Sequence, residues 1–152
     1  MFNGFFTSIT SSSELSSDEA KIFMEQELNI NPFIVKPDFK FSFTTTSEID
    51  ELISTIPSSS APGINGIQTK IFKSSSKVFK TGIAYLFNYS ILTNSIPNEW
   101  KTAVVTPFFK NKGSNGDINN YRGISILPPI AKIFEKLLHK QILGFLYRNN
   151  ID

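Results

Sequence analysis

The chain has 152 residues, 40% hydrophobic and 13% aromatic, so it can bury one core; with no cysteine, disulfides, thiolate metal sites and thiol nucleophiles are excluded. The net charge of +2 is unevenly divided: residues 1–60 hold three lysines against nine acids, residues 61–152 twelve Lys or Arg against four acids, so the basic part either takes an anionic partner or merely solvates its helix faces. No apolar run reaches the roughly 18–20 residues of a membrane span, and the start MFNGFFTSIT lacks the basic region of a signal peptide, so an intracellular chain, nuclear or cytoplasmic, not secreted and with no membrane partner, is expected.

Residues 10–17 (TSSSELSS) are polar and read as a loop or linker. Ser16 and Glu19 have capping-box spacing. The helix they open is expected to reach about Asn29, with Ile22, Phe23 and Leu28 inward. Residues 30–45 are expected to be extended, because Pro32 and Pro37 oppose a helix and Phe39, Phe41 and Phe43 alternate. Thr45 and Glu48 form a second capping box, for a helix carrying Ile49, Leu52, Ile53 and Ile56 and closed by Pro57. Residues 58–66 (SSSAPGING) form a loop. Residues 67–93 are expected to be helical, with Ile67 and Ile71 in one apolar stripe and Val78, Phe79, Ile83, Leu86 and Phe87 in another. The serines at 74–76 can break this region in two, and Ile96-Pro97 stops it.

Residues 102–109 and 121–127 are β-type runs on either side of a Gly-, Asn- and Lys-rich loop at 110–120. This is the pattern of a hairpin, with Val104 and Val105 on opposite faces. Lys110, Lys112 and Arg122 would converge at one end of the ribbon. Three fixed cations suit a triphosphate or a nucleic-acid backbone. After Pro128-Pro129 a last helix is expected, with Ile130, Ile133, Phe134, Leu137, Leu138, Ile142, Phe145 and Leu146 at helical spacing. Lys132, Lys136, His139 and Lys140 occupy its other side. Its apolar face either lacks a cover or packs back on residues 67–93. His139, the lone histidine, has no carboxylate cluster near it with which to hold a metal.

Three segments together resemble the start of the reverse transcriptase domain of non-LTR, LINE-like retrotransposons. Ser60-Ala61-Pro62-Gly63-Ile64-Asn65-Gly66-Ile67 is similar to the loop S-x-G-P-D-G-I. Ile96-Pro97-Asn98-Glu99-Trp100-Lys101, then Ala103-Val104-Val105 and Pro107 through Lys112, is similar to I-P-x-x-W-K-x-A-x-V-x-P-I-x-K-K-G. Asn120-Tyr121-Arg122-Gly123-Ile124-Ser125-Ile126-Leu127, followed by Lys132-Ile133-Phe134-Glu135-Lys136, is similar to N-Y-R-P-I-S-L-L and K-I-F-E-K. Phe2 through Ile9 also look like the segment leading into that domain. Asn65 stands where the family usually has Asp, so a charge-dependent role of that loop is not expected. Gly123 stands where Pro is common.

The resemblance implies an α+β fold: the fingers hairpin of a right-hand polymerase packed with helices, in residues 58–152, after a largely helical extension in residues 1–57. It implies nucleotide-phosphate contacts by Lys110, Lys112 and Arg122, and template contacts by Gly63, Asn65, Asn120 and Arg122. Its partners would be an RNA template, a DNA primer and deoxynucleoside triphosphates. The complete family domain uses Mg²⁺ held by carboxylates. This chain has five aspartates, no two adjacent, and no Tyr-x-Asp-Asp. No catalytic residue and no bound cofactor are therefore expected, and the chain alone is expected to be inactive. The main alternative is a non-catalytic nucleic-acid-binding module derived from a retroelement; a third reading is a small α+β interaction protein. The sequence gives no basis for an oligomeric state.

Overall fold

The structure is a computed structural model that describes residues 39–150 together with Asp18, Lys21, Ile22 and Gln26. Those four residues are helical. The family-like start at 2–9, the linker at 10–17, the rest of the expected first helix and the extended residues 30–38 lie outside the described residues. The chain divides into two compact units. One is Phe39–Phe108 with Ile124–Asp152; the other is Met1–Asp38 with Phe109–Gly123.

In the first unit, helix α1 spans Thr46–Thr55. Thr45 Oγ1 accepts from the backbone N–H of Glu48 at 3.2 Å, which satisfies one of the otherwise orphaned first-turn amides. The return half of the capping box takes another form. The Glu48 carboxylate accepts from Thr44 Oγ1 at 2.9 Å and from Lys140 Nζ at 2.7 Å. Ile49, Leu52 and Ile53 are buried, Ile56 ends the helix, and Pro57 follows.

Helix α2 (Thr69–Ser74) and helix α3 (Lys77–Thr93) are separated at Ser75 and Ser76. Ser75 Oγ donates to the carbonyl of Phe72 at 2.6 Å, and Ser76 Oγ caps α3 by accepting from Phe79 N–H. Polar side chains that compete for backbone groups thus end one helix and begin the next. Helix α3 stops at Asn94, whose φ of 52° is left-handed, three residues before Pro97. A short turn, α4 (Asn98–Lys101), places Trp100 against the core.

The inward stripes differ from those read off the periodicity. Ile67, Ile71, Val78, Phe79 and Leu86 are exposed, whereas Thr69, Phe72, Ile83, Ala84, Phe87 and Ser90 are buried. Helix α3 is apolar on two opposite sides, so spacing alone does not select the face that meets α1 and the last helix.

That last helix, α5, spans Pro129–Arg148, with Pro129 at the first turn, where the missing N–H costs nothing. Its apolar face is covered: Ile133 and Leu137 are fully buried and Phe134 nearly so, within one cluster shared with α1 and α3. Of the two arrangements open to this helix, packing back on the earlier helices is the one observed. Ile142 stays exposed, and Phe145 and Leu146 are half-buried. Phe87, Trp100 and Phe134 form a three-ring contact with centroids 4.9–5.4 Å apart. The tilted and edge-on geometry suits the ring quadrupoles.

Strands β1 (Val104–Phe109) and β2 (Tyr121–Ile126) pair as a two-stranded hairpin. Exposure alternates along β1, with Val104 outward and Val105 half-buried, as the pleat requires. The architecture is α+β.

Candidate functional site

The unit Phe109–Gly123 carries Lys110, Lys112, Asn120 and Arg122. Its loop is built by backbone and amide hydrogen bonds. The N–H of Lys110 donates to the carbonyl of Asn120 at 2.8 Å and closes the ribbon. Asn111 and Gly113 have φ values of 54° and 80° and turn the chain. A Cβ at Gly113 would lie 2.5 Å from the Asn120 side chain, so the close approach of this amide requires glycine. Asn120 Nδ2 donates to the carbonyl of Ser114 at 2.9 Å. Asp117 Oδ1 accepts from the backbone and side-chain N–H groups of Asn119, both at 2.9 Å, and starts a 3-10 turn over Ile118–Asn120. Tyr121 Oη donates to the carbonyl of Asn115 at 3.0 Å.

The cations stand on this frame. Phe109 and Tyr121 meet across the ribbon with ring centroids 5.3 Å apart, which fixes one face. Lys110 follows Phe109 and Arg122 follows Tyr121, so alternation puts both cations on the opposite face. Lys110, Lys112 and Arg122 are all exposed. Lys110 Nζ donates to the carbonyl of Asn119 at 2.8 Å, a neutral acceptor that anchors the ammonium without cancelling its charge. Lys112 and Arg122 make no ion pair or side-chain hydrogen bond among the described residues. Asp117, the acid of this loop, accepts from Asn119 rather than from a cation. Among the described residues nothing occupies the planar donors of the exposed Arg122 guanidinium, which suits bidentate phosphate contact or stacking on a base.

Gly63 and Asn65 belong to the other unit and have local structural work of their own. Gly63 has φ +73°, and a Cβ there would come within 2.7–2.9 Å of the Leu127 and Pro128 backbone. The loop thus lies against the start of α5. Lys132 Nζ ties the same loop by donating to the Ala61 carbonyl at 2.8 Å, and burial pushes this ammonium below the usual lysine range. Asn65 Oδ1 accepts from the N–H of Ile67 at 3.3 Å, an Asx-type turn that a carboxylate oxygen in the same place could equally make.

Sequence reasoning did not single out Asp117 or the Tyr121 hydroxyl, although Asp-x-Asn is a readable turn signal. Among the described residues no group of three His, Asp or Glu side chains stands together in a way that could hold a metal ion. No helix among them is long and apolar enough to cross a membrane.

No family model matches the chain. Similarity to individual proteins of Drosophila melanogaster is clear. The RNA-directed DNA polymerase from mobile element jockey is 28% identical over 102 residues, 67% of this chain and 11% of that protein. A 115 kDa protein in type-1 retrotransposable element R1DM is 28% identical over 96 residues, 62% of this chain and 9% of that protein. A protein named as the probable RNA-directed DNA polymerase from transposon X-element is 24% identical over 138 residues, 91% of this chain and 14% of that protein. The chain thus spans only about a tenth of the length of these relatives.

Proposed function

We propose a fingers role for this chain, which belongs with the reverse transcriptases of non-LTR retrotransposons and corresponds to a small segment of them. In this reading the chain is part of a right-hand polymerase, with residues 1–57 leading into a partial polymerase domain at 58–152. The hairpin unit holds phosphate: Lys110 and Lys112 as point charges toward the nucleotide triphosphate, Arg122 toward the triphosphate and the RNA template. Asn120 orders the loop that carries them and is placed to meet the template. Gly63 and Asn65 supply a second template contact through the turn they shape. RNA template, DNA primer and deoxynucleoside triphosphates are the partners, inside the cell.

The observation that carries this reading is Arg122, exposed and without an ion-pair partner among the described residues, on the same ribbon face as Lys110. A guanidinium left open beside a second cation gains most from a polyanion, because binding releases that polymer's counterions.

Mg²⁺ serves the complete family domain by clamping the attacking and leaving oxygens of phosphoryl transfer. The residues described do not fit that ion, since no carboxylate cluster is among them. In this reading these residues bind and orient: an ammonium anchored on the Asn119 carbonyl, and a guanidinium without an ion-pair partner among the described residues.

The test is titration of a fluorescent single-stranded RNA by fluorescence anisotropy at two salt concentrations. Weak, sequence-tolerant binding that falls steeply with salt is expected. Binding indifferent to salt, or none at all, would reject the fingers role.

A further inference from the structure

A cavity of about 450 Å³ opens between the end of α1 and the outer side of α5, within the unit that lacks the hairpin tip. Its size falls in the range of small-ligand sites, about 300–1,000 Å³. Ile56 and Pro57, just past the end of α1, make an apolar floor, and Ser60 closes one side. Lys132, Glu135, Lys136 and His139 come from α5 at helical spacing and share one face of it.

The two ammoniums are held in place by neutral groups. Lys132 Nζ donates to the Ala61 carbonyl at 2.8 Å, and Lys136 Nζ donates to Thr55 Oγ1 at 2.9 Å. Each keeps two further N–H donors. The ion pairs among the described residues are Lys80 with Asp50 and Lys140 with Glu48, so neither cavity lysine is matched by a carboxylate. Burial disfavours the Lys132 charge, and an anion beside it would offset that cost. Glu135 is exposed and pairs with neither lysine, although it adjoins Lys136 and lies one turn from Lys132. His139 follows one turn beyond Glu135.

We propose that this cavity holds a ribonucleoside 5′-monophosphate group, either a free nucleotide or the 5′-phosphorylated end of an RNA. The phosphate takes the open donors of Lys132 and Lys136 in charge-assisted bonds. The Glu135 carboxylate accepts from the ribose hydroxyls, as an acidic side chain does in dinucleotide sites. The base lies on Pro57 and Ile56 with the His139 ring beside it. A lone phosphate would leave the apolar floor uncovered and meet Glu135 with like charge. A purely apolar ligand would leave both ammoniums unmatched. A nucleotide carries the anion, the hydroxyls and the flat ring together. The lysines are partly solvated, so the dissociation constant is expected to be on the order of 0.1–1 mM.

No hairpin-tip residue lines the cavity, so this inference does not depend on the fingers reading. His139 is the one histidine of the chain, and its ring protons therefore report on the cavity directly. In a proton NMR titration of the full chain with adenosine 5′-monophosphate, the His139 signals should shift and saturate. The 2′-deoxy nucleotide should bind roughly threefold or more weakly still, for want of one hydroxyl. Adenosine and inorganic phosphate should each bind at least about tenfold more weakly. Glu135→Ala should leave melting unchanged and remove the preference for ribose. Lys136→Ala should weaken binding roughly tenfold, and Arg122→Ala should not change it. A 5′-phosphorylated oligoribonucleotide should displace the nucleotide if an RNA end is the source, and should fail to do so if the source is the free nucleotide. Displacement by the 5′-hydroxyl form as well would mean ordinary backbone contact and overturn the proposal. So would the absence of a saturating shift, an equal response to inorganic phosphate, or a ribose preference that survives Glu135→Ala.

Discussion

Asn88 on α3 holds Thr44 by both of its backbone groups: Thr44 N–H donates to Asn88 Oδ1 at 2.7 Å, and Asn88 Nδ2 donates to the Thr44 carbonyl at 3.0 Å. Two residues earlier, Gln141 on α5 does the same for Ser42, at 2.8 and 3.0 Å. Two side-chain amides thus stand in for a neighbouring strand and hold an extended segment against the helices. Asn88→Ala should leave both groups of Thr44 without these partners in a partly buried place and cost about 1–3 kcal/mol. Gln141→Ala, whose contacts are exposed, should cost under about 1 kcal/mol. Urea unfolding of both variants gives the comparison, and equal losses would mean that burial does not set the value of the clasp.

Gly63→Ala should destabilise the chain by about 2 kcal/mol or more, through backbone strain at positive φ and through overlap with Leu127 and Pro128. Asn65→Asp should be close to neutral, since either side chain offers the acceptor that Ile67 N–H needs. Thermal denaturation of the two variants checks both statements.

The Glu48 carboxyl is held below the usual carboxylate range by the hydrogen bond from Lys140, opposed by burial and reinforced by Thr44 and by the Lys140 charge. Its folded value is lower than its unfolded one. The stabilisation is therefore full above the ordinary carboxylate range and is lost as pH falls through the depressed value. Lys140 is raised, chiefly by its hydrogen bond to Glu48, so its share is lost only as pH rises above the ordinary lysine range. Glu48→Gln should flatten the acid side of the stability profile and leave neutral-pH stability lower by no more than about 1 kcal/mol, because Lys140 is half exposed. Urea midpoints between pH 3 and pH 7 read this directly.

Arg122→Ala should weaken RNA binding more than Lys110→Ala or Lys112→Ala, because guanidinium adds stacking to charge. Each phosphate contact removed should reduce the slope of log affinity against log salt by roughly 0.7–0.9. Lys70, Lys73 and Lys77, on α2 and α3, are the controls. Equal losses at every lysine would point to diffuse charge in place of a defined tip.

The chain alone should not extend a primer on an RNA template with Mg²⁺ or Mn²⁺, for want of the paired carboxylates that two-metal chemistry uses. Incorporation above a no-protein control, from contaminant-free material, would overturn this.

What could be read from the residues was what local chemistry decides. The cap at Thr45, the break at the serines near 75, the two strands and the proline-led last helix each follow from neighbouring side chains. The inward face of α3 could not be read, because Val78, Tyr85 and Leu86 are as apolar as Ile83 and Phe87 and only the placement of α1 and α5 separates them. The clasps by Asn88 and Gln141 were equally silent, since nothing in a lone amide announces a backbone partner 44 or 99 residues away. At the hairpin the cations were legible by type. Their support was not, because Lys110 leans on a carbonyl and Asp117 on an amide.

Order of synthesis gives the clasp between Ser42 and Gln141 a further meaning. Its two ends are 99 residues apart, and Glu48 reaches Lys140 across 92. Helices α1 and α3 are made before α5 but share their buried surface with it. While the ribosome is still adding residues 94–128, Ile53 and Phe87 lack the cover that Ile133, Phe134 and Leu137 give them. The nascent chain must therefore carry an open apolar surface from the completion of α3 until α5 has left the exit tunnel, and this core can close only then. A chaperone that shields apolar segments near the tunnel would act on this protein in that interval.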